Sequence, residues 1–525
     1  MKTTPVVIST LAGCFRDGTL FDAQFLVDGQ WNRIQNARCK SMGGYRRLFN
    51  QLTGVGRGMN VFDSSGFSYV AIGNSDNLEQ VVLDQFGNVT GLSTRTPAAF
   101  VADDNNLWTF DYVYDSVSAN VTIVAHAAPN LDDISSTDSQ LVWYGPATTT
   151  AVLTSTGSSV SGGVVCIQPY TVTFGTAGVL NWSVANRPAD YAGAGSGSAR
   201  VSALKIVAGM PIRGGAGNSP SGLFWTLDAV VRMTFVGGTQ IFQFDTFSNQ
   251  ASILSSQGVI EYDGVYYWAG IDRFMSFNGV VREVPNDMNL NWFYDNVNMQ
   301  YRQKVFAFKI PRWGEIWWCY PRGSATECTH AVILNLREKR PDGMPVWYDV
   351  ELPQSGRSCA RYSQVFAWPL MCGVDADDSS GTDLYKLWQH EYGNDMLDGT
   401  DVLAIEKYFV TQEYNFLAPQ NGQGEDVSLI GDIFEPDFLQ TGDMTVQMIG
   451  RMNARAPDVE GAIQTFVSQV EGVGTTSTNQ AVYFPAQTKN QRLMRFKISS
   501  NTQGGSYFAG RNILHAGKGD GRYKT

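Results

Sequence analysis

Hydrophobic and polar residues alternate most clearly between residues 258 and 321. Aromatic-rich stretches at 261–268, 269–279 and 314–321 are separated by tight glycine-containing turns, among them Asn278-Gly279. Alternation with a period of two indicates antiparallel strands that bury one face. The pattern therefore predicts a β-meander in the middle of the chain.

Similar groups of short apolar runs with intervening turns occur at 67–88, 164–183 and 221–244. The tryptophans suggest a repeat. Trp143, Trp182, Trp225 and Trp268 are separated by 39, 43 and 43 residues, and Trp347 and Trp388 are separated by 41. A period of about 40–45 residues with several strands per unit is typical of β-propeller blades. Chance spacing among 13 tryptophans is the alternative.

We therefore predict an all-β fold, a β-propeller of antiparallel four-stranded blades whose number the sequence leaves open. The pattern changes near residue 400, which predicts three parts: a basic N-terminal arm or platform segment (1–60), the propeller (61–400) and a C-terminal β-domain (401–525). The arm and the C-terminal region are expected to form an additional β-rich platform domain. Two short helices are predicted within 287–298 and 457–467.

Charge is unevenly distributed along the 525 residues. The net charge of −11 divides into +5 on residues 1–60, −12 on 61–300 and −4 on the rest. A basic arm on an acidic body predicts that the arm docks on an acidic partner or on phosphates, with a solvated basic tail as the alternative. The acidic body disfavours tight sequence-independent DNA binding but suits a surface past which DNA slides.

Recognisable catalytic motifs are not found in the sequence. It contains no P-loop and no G-x-S-x-G elbow, and its four histidines follow no metal-ligand spacing. Seven scattered cysteines predict buried free thiols made in a reducing compartment. Residues 375–383 resemble a calcium loop, but the glycine is displaced and no bidentate glutamate follows, which favours a solvated acidic turn. We predict no metal and no cofactor.

Paired carboxylates would be needed for glycoside hydrolysis in a propeller. Asp263, Asp272, Glu283 and Glu315 lie in the aromatic meander, yet acidic residues at hairpin turns usually serve the turn itself. We therefore expect the protein not to be an enzyme.

The N-terminus imitates a lipoprotein cleavage box at residues 11–14, where Cys14 would be the acylated residue. The apolar stretch before it is short and is broken by Ser9-Thr10, so lipidation is not expected. The uncharged stretch between Asp138 and Arg187 is rich in Ser, Thr and Gly and predicts no membrane span.

The strongest interaction signal surrounds Met42-Gly-Gly-Tyr45. Arginines beside an aromatic residue favour a protein or phosphate interface, and a strand edge kept soluble by charge is the alternative. The candidate partner-binding residues are Arg33, Arg38, Lys40, Tyr45, Arg46 and Arg47.

An ordered set of motifs resembles the tail nozzle proteins of short-tailed bacteriophages, also called tail tubular proteins, and the similar packaged-DNA stabilisation proteins. The likeness runs from about residue 10 to the C-terminus. It is carried by residues 42–47 (MGGYRR), 180–183 (LNWS), 219–225 (SPSGLFW), 262–269 (YDGVYYWA), 314–318 (GEIWW) and 387–391 (LWQHE), with 501–505 (NTQGG) and 519–522 (GDGR) near the end.

The resemblance implies a virion protein of the tail, synthesised in the host cytoplasm, that assembles as a homohexameric ring below the head-to-tail adaptor ring of the portal complex. Such a ring would extend the channel, retain the packaged genome and let double-stranded DNA pass without sequence-specific binding. Tail fibre or tail needle proteins are further candidate partners. The residues that gate the channel are not assigned.

Two other functions compete with a nozzle. One is a receptor-binding or glycan-degrading propeller protein, and the other is a bacterial surface lipoprotein. Loss of turnover on a polysaccharide after mutation of Asp263 or Glu315 would favour the first, and acylation of Cys14 would favour the second.

Overall fold

The computed structural model describes the whole chain except residues 1–2, 9, 130–138, 213–218, 366–367, 377–384, 417–426, 468–481, 485–489 and 520–525. Strands make up 56% of the structure and helix 3%, and many sheets are four-stranded and antiparallel. The predicted all-β class is therefore confirmed. The calcium-loop candidate at 375–383 and the motif at 519–522 lie largely outside the described residues.

Seven strands come first in the chain. They are β1 (Thr4–Ile8), β2 (Leu11–Cys14), β3 (Phe25–Leu26), β4 (Asp28–Gln30), β5 (Asn32–Gln35), β6 (Arg38–Ser41) and β7 (Tyr45–Leu52).

Six four-stranded antiparallel sheets follow, each made of consecutive strands, and we number them sheets 1 to 6. Sheet 1 is β8 (Gly58–Ser64), β9 (Phe67–Gly73), β10 (Leu78–Leu83) and β11 (Val89–Thr94). Sheet 2 is β12 (Asn106–Asp115), β13 (Asn120–Pro129), β14 (Gln140–Pro146) and β15 (Thr154–Val160). Sheet 3 is β16 (Gly163–Ile167), β17 (Tyr170–Phe174), β18 (Val179–Trp182) and β19 (Gly197–Arg200).

Sheet 4 is β20 (Ile206–Pro211), β21 (Ser221–Thr226), β22 (Val230–Phe235) and β23 (Phe242–Ser248). Sheet 5 is β24 (Val259–Tyr262), β25 (Val265–Ala269), β26 (Phe274–Phe277) and β27 (Val281–Glu283). Sheet 6 is β28 (Phe306–Ile310), β29 (Glu315–Tyr320), β30 (His330–Lys339) and β31 (Pro345–Glu351). Between β27 and β28 lie the short helix α1 (Leu290–Tyr294) and a 3-10 turn (Met299–Lys304); another 3-10 turn is Thr176–Gly178.

Sheet 7 takes a strand from the N-terminal part of the chain. Its strands are β32 (Arg357–Ser363), β33 (Trp368–Ala376), β34 (Tyr385–His390), then β7, and finally β35 (Met396–Asp398) and β36 (Asp401–Leu403). Because β7 pairs antiparallel with β34, the predicted boundary at residue 60 does not coincide with a division between sheets.

Apolar clusters connect these seven sheets in a closed sequence. Each pair of successive sheets shares one cluster, and another cluster joins sheet 7 back to sheet 1. Between sheets 4 and 5, for example, the rings of Trp225 and Trp268 meet edge to face with centroids 5.6 Å apart. This arrangement is consistent with a propeller-like fold, and we call sheets 1–7 the ring sheets.

The tryptophan spacing reflects these sheets only in part. Trp143 and Trp182 lie on third strands, whereas Trp225 and Trp268 lie on second strands. The first strands of the seven sheets begin between 43 and 57 residues apart, so the repeat is looser than the tryptophans suggest.

Both ends of the chain contribute to a second group of sheets, the end sheets. Their C-terminal strands are β37 (Lys407–Val410), β38 (Leu429–Glu435), β39 (Phe438–Thr441), β40 (Met444–Arg451), β41 (Val459–Glu460), β42 (Gln464–Phe466), β43 (Val482–Tyr483), β44 (Asn490–Gln491), β45 (Leu493–Ser500), β46 (Ser506–Ala509) and β47 (Asn512–Lys518).

Long-range pairing defines the end sheets. Strand β1 pairs with β47, β4 with β37 and β6 with β46, so the arm is built into sheets with the C-terminal region. The helix predicted within 457–467 is wrong: β41 and β42 both pair with β40 instead. The helix predicted within 287–298 is limited to α1.

Candidate functional site

The β5–β6 hairpin places two of the predicted residues opposite each other. Its two-residue turn, Asn36-Ala37, has positive φ angles of 50° and 55°, and Glu338 of sheet 6 accepts hydrogen bonds from both backbone N–H groups at 2.8 and 3.0 Å. In this register Arg33 is the cross-strand partner of Lys40. Like charges placed directly opposite each other repel, so the pair needs counter-charges.

Arg33 receives its counter-charges from two carboxylates of the same chain. Its Nη1 lies 2.7 Å from Glu391 Oε2, and its Nε lies 2.9 Å from Glu315 Oε1. The side chains of Arg33 and Glu315 are 1% and 0% exposed. Burial alone would lower the pKa of Arg33, but the two carboxylates more than offset that effect, so the pKa is raised. Arg33 is therefore a buried connection between the end sheets and the ring sheets.

Glu315 is fixed by further donors on sheet 6. Trp317 Nε1 donates to Oε2 at 2.9 Å, and the Tyr348 hydroxyl donates to Oε1 at 2.7 Å. Burial raises the pKa of Glu315 even though Arg33 opposes the shift. Asp272 and Glu283 instead pair with the exposed Arg273, at 3.0 and 3.7 Å. Asp272 and Glu283 thus share one cation, whereas Glu315 is paired with Arg33.

Lys40 has an aromatic neighbour and no carboxylate partner among the described residues. Its Nζ lies 4.2 Å from the centre of the Trp313 ring, and the guanidinium carbons of Arg33 and Arg312 lie 4.7 and 4.8 Å from that centre. Burial, and after it the charges of Arg33 and Arg312, lowers the pKa of Lys40. Three cations thus surround one indole ring.

A cavity of about 270 Å³ opens beside this group, and we call it the Lys40–Trp313 cleft. The β28–β29 turn, Trp368 of β33, the segment after β34 and residues of the end sheets line the cleft. Arg312 contacts the Trp368 ring at 5.0 Å. Leu439 of β39 also lines the cleft and is 76% exposed. The cleft thus combines cationic, aromatic and aliphatic side chains.

Close backbone packing requires the glycines of the Met42-Gly-Gly-Tyr45 turn. Gly44 donates its N–H to Gly393 O at 2.9 Å and accepts from Tyr392 N at 2.9 Å. A Cβ on Gly44 would collide with the carbonyl oxygen of Asp395. The small residues therefore bring the chain segment after β34 against the arm, which places Glu391 near Arg33.

The other predicted residues lie away from the cleft. Tyr45 is buried against His390 and Trp388, with ring centroids at 5.2 and 5.4 Å, and burial raises its pKa to about 12. Arg47 pairs with Asp398 at 2.5 Å.

Arg46 and Arg38 bond to uncharged groups. Arg46 donates to Gln389 Oε1 and to Phe86 O, each at 2.7 Å, and Arg38 donates weakly to Ala37 O at 3.4 Å. The structure thus brings only Arg33 and Lys40 together at the cleft, and the partner-binding role of all six residues remains a prediction.

Sequence reasoning missed Arg312, Trp313 and Trp368 as members of the site. The only signal was the adjacent Arg312-Trp313 pair before the 314–318 motif. It also missed that acidic groups within the chain neutralise much of the arm: Arg16, for example, lies 3.0 Å from Asp349 and 2.7 Å from Asp28.

Reactive groups are sparse in the described part of the chain. All seven cysteines are buried free thiols, as predicted. Across the described residues no three His, Cys, Asp or Glu side chains lie close enough together to hold a metal ion. The helices found there are all too short or too polar to cross a membrane.

A comparison with protein-family models and with curated proteins finds no match to this sequence.

Proposed function

We propose that the protein is a structural subunit of a bacteriophage short tail, a nozzle that forms a homohexameric ring below the adaptor ring and encloses the path of the DNA. The observation that carries the proposal is the combination of two architectural parts: seven sheets in a closed sequence, and adjoining sheets that contain both ends of the chain. The ordered motifs at 42–47, 262–269, 314–318 and 387–391 add support, since they resemble those of tail nozzle proteins.

We infer further that sheets 1–7 are the blades of a seven-bladed β-propeller. The first strands support this, because β8 contacts both β12 and β32, and β28 contacts both β24 and β32. Strand β7 completes the last sheet from the other end of the sequence, which ties residues 45–52 to residues 385–390. Such closure makes a stiff subunit with few free edges, which suits repeated use in a ring.

In this proposal the DNA does not run through the propeller itself. Gln257, just before β24, donates its Nε2–H to Arg57 O, just before β8, at 2.8 Å. Arg57 in turn forms a bidentate pair with Glu327, in the connection between β29 and β30 of sheet 6, at 2.7 and 2.8 Å. In a seven-bladed ring, sheets 5 and 1 are three blades apart, so this hydrogen bond would cross the centre and leave no room for a duplex. The channel is therefore formed between subunits.

The charge of the body suits such a channel. Residues 61–300 carry a net charge of −12, which repels DNA phosphates from surfaces within a screening length of about 10 Å. Because an acidic channel wall repels the phosphates, DNA does not bind to the wall as it leaves through the channel. Heterologous contacts between identical subunits close into a ring when the rotation between neighbours divides the circle evenly.

Imaging of intact particles tests the proposal. We expect a six-fold ring of 57.6 kDa subunits between the adaptor and the tip of the tail, and labelling of a tagged chain should decorate only that ring. The free chain is expected to be monomeric until it meets the adaptor. A chain found on peripheral fibres, or absent from the particle, would overturn the proposal, and polysaccharide turnover by the purified protein would favour the glycan-degrading alternative.

A further inference from the structure

We propose that the Lys40–Trp313 cleft binds an acidic segment of a partner protein, with a carboxylate between Lys40 and Arg312 and an apolar side chain against Leu439. The identification of that partner as a neighbouring tail protein rests on the proposed function. The geometry of the cleft does not depend on it.

The first argument is the charge within the cleft. Arg33 is matched by Glu315 and Glu391, which bury its guanidinium completely. Lys40 and Arg312 have no carboxylate partner among the described residues, yet both lie within 5 Å of the centre of the Trp313 ring. The two cations therefore lie close enough to repel each other; burial first, and then the charges of Arg33 and Arg312, lower the pKa of Lys40, while Glu391 opposes this shift. A carboxylate placed between them would relieve this repulsion and accept charge-assisted hydrogen bonds.

The second argument is the apolar part of the cleft. Leu439 is 76% exposed, and Trp368 and Phe508 line the same cavity. An exposed leucine beside partly buried aromatic rings and an arginine matches the composition of protein interfaces. A cavity of about 270 Å³ has room for one or two side chains of a partner.

The same features disfavour a nucleic acid in this cleft. Backbone binding to DNA requires a row of cations along successive phosphates, and its strength grows with the number of phosphates neutralised. The cleft offers only two cations without a directly bonded carboxylate, Lys40 and Arg312, next to the acidic Glu391 and on a chain with a net charge of −11. A single carboxylate with an apolar neighbour fits this arrangement better than a polyanion.

Fluorescence anisotropy with the full-length chain provides the test. The probe is a short labelled peptide that alternates glutamate with leucine, and the comparison ligands are the same peptide with glutamine in place of glutamate, a labelled DNA duplex and inorganic phosphate as competitor. We expect the acidic peptide to bind, the glutamine peptide to bind about tenfold more weakly or worse, and phosphate to compete poorly because it has no apolar contact.

Variants locate the binding. Lys40→Gln with Arg312→Gln should weaken the acidic peptide by at least about tenfold, since two charge-assisted contacts are lost. Neither side chain has a hydrogen-bonded carboxylate to lose, and each loses only its contact with aromatic rings, so the midpoint of thermal unfolding should shift little. Arg282→Gln, an exposed arginine on β27, is the matched control and should bind like the original protein.

Three results would overturn the inference: no binding of the acidic peptide, equal binding by the double variant, or tighter binding of the duplex than of the peptide. These measurements use the isolated chain, so they are separate from imaging of the particle. If particles show the six-fold ring but the chain does not bind the peptide, only the cleft proposal is overturned. If the chain binds the peptide but is absent from the particle, only the proposed nozzle function is overturned.

Discussion

The contacts within the ring sheets and the contacts between the ring sheets and the end sheets differ in how much buried charge they contain. Within the ring, consecutive strands form hairpins, and apolar clusters fill the space between neighbouring sheets. Where the end sheets meet the ring, buried or half-buried ion pairs cross the boundary, such as Arg33 with Glu315 and Arg16 with Asp349. The junction also shares a large apolar cluster, in which the ring centroids of Trp31 and Trp317 lie 6.4 Å apart, so the difference is that the junction adds buried charge matching to apolar packing.

The largest expected effect is the loss of a ring tryptophan. Trp225→Ala would remove a fully buried side chain that contacts Trp268, and the cavity should cost about 3–5 kcal/mol of the free energy of unfolding. Chemical denaturation measures this loss, and hydrogen exchange should place it in sheets 4 and 5. Val280→Ala, at a side chain that is 57% exposed, is the control and should change stability by less than about 0.5 kcal/mol. Equal effects of the two substitutions would contradict packing as the main force within the ring.

The next effect is at the junction. Arg33→Met keeps much of the side-chain volume but leaves Glu315 and Glu391 without their counter-charge, which should cost about 3 kcal/mol. Hydrogen exchange should rise first in the end sheets, while the strands of sheets 2 and 3 stay protected.

Arg38→Met is the matched control for this substitution, because Arg38 has no carboxylate partner among the described residues. If Arg33→Met accelerated exchange uniformly over the ring, the two regions would not be separable in the way proposed.

A smaller effect follows from pH. Burial lowers the pKa of His126 in sheet 2 to about 4, and it lowers that of His390, which accepts the Arg357 Nε–H at 3.0 Å. Below the ordinary pKa of about 6.5 the unfolded chain gains protons that the folded chain does not. Stability should therefore fall as the pH drops from about 6.5 towards 4, by up to about 1.4 kcal/mol per pH unit for each histidine.

Glutamine at either position separates the two contributions. His390→Gln keeps an acceptor for Arg357, and His126→Gln keeps a donor for Val160 O, so each should reduce the pH slope by about one proton. Unfolding followed by denaturant titration at several pH values measures the slope. An unchanged slope in both variants would show that other groups account for the acid sensitivity.

The smallest effect is expected at the surface of the ring. Asp272→Asn removes a partner of the exposed Arg273 and should alter stability by less than about 0.5 kcal/mol. Added salt should have as little effect on this variant as on the original protein. If Asp272→Asn lowered the free energy of unfolding by more than about 1 kcal/mol, ion pairs would stabilise the ring as strongly as they stabilise the junction.

Sequence reasoning succeeded where strand pairing is local. The strands around 164–183 and 221–244 and the hairpin at Asn278-Gly279 follow from alternation and turn residues within a few positions of one another. It failed where pairing is distant: β7 joins β34 across more than 330 residues, and no local pattern encodes that register. The helix predicted within 457–467 failed for a different reason: β41 and β42 pair with the nearby strand β40, and this pairing outweighs the local propensity read from Pro457.

The candidate site shows the same division. The cluster around residues 42–45 revealed Arg33 and Lys40, because cations near a glycine pair are visible in the sequence. Their acidic and aromatic neighbours come from other hairpins: Glu391 is 358 positions from Arg33. Which cations are neutralised and which stay open to a partner is decided only when these hairpins meet.

The position of β7 in sheet 7 also has a consequence for the order in which the strands can pair during synthesis. Residues 45–52 leave the ribosome long before residues 385–390, and at about 5–20 residues per second the interval is on the order of tens of seconds. During that interval sheets 1 to 6 can form, while the backbone edge of β7 that will pair with β34 has no partner strand. Sheet 7 can form only after residues 385–390 are made, so a truncated product lacking its final third would leave β7 without its partner β34.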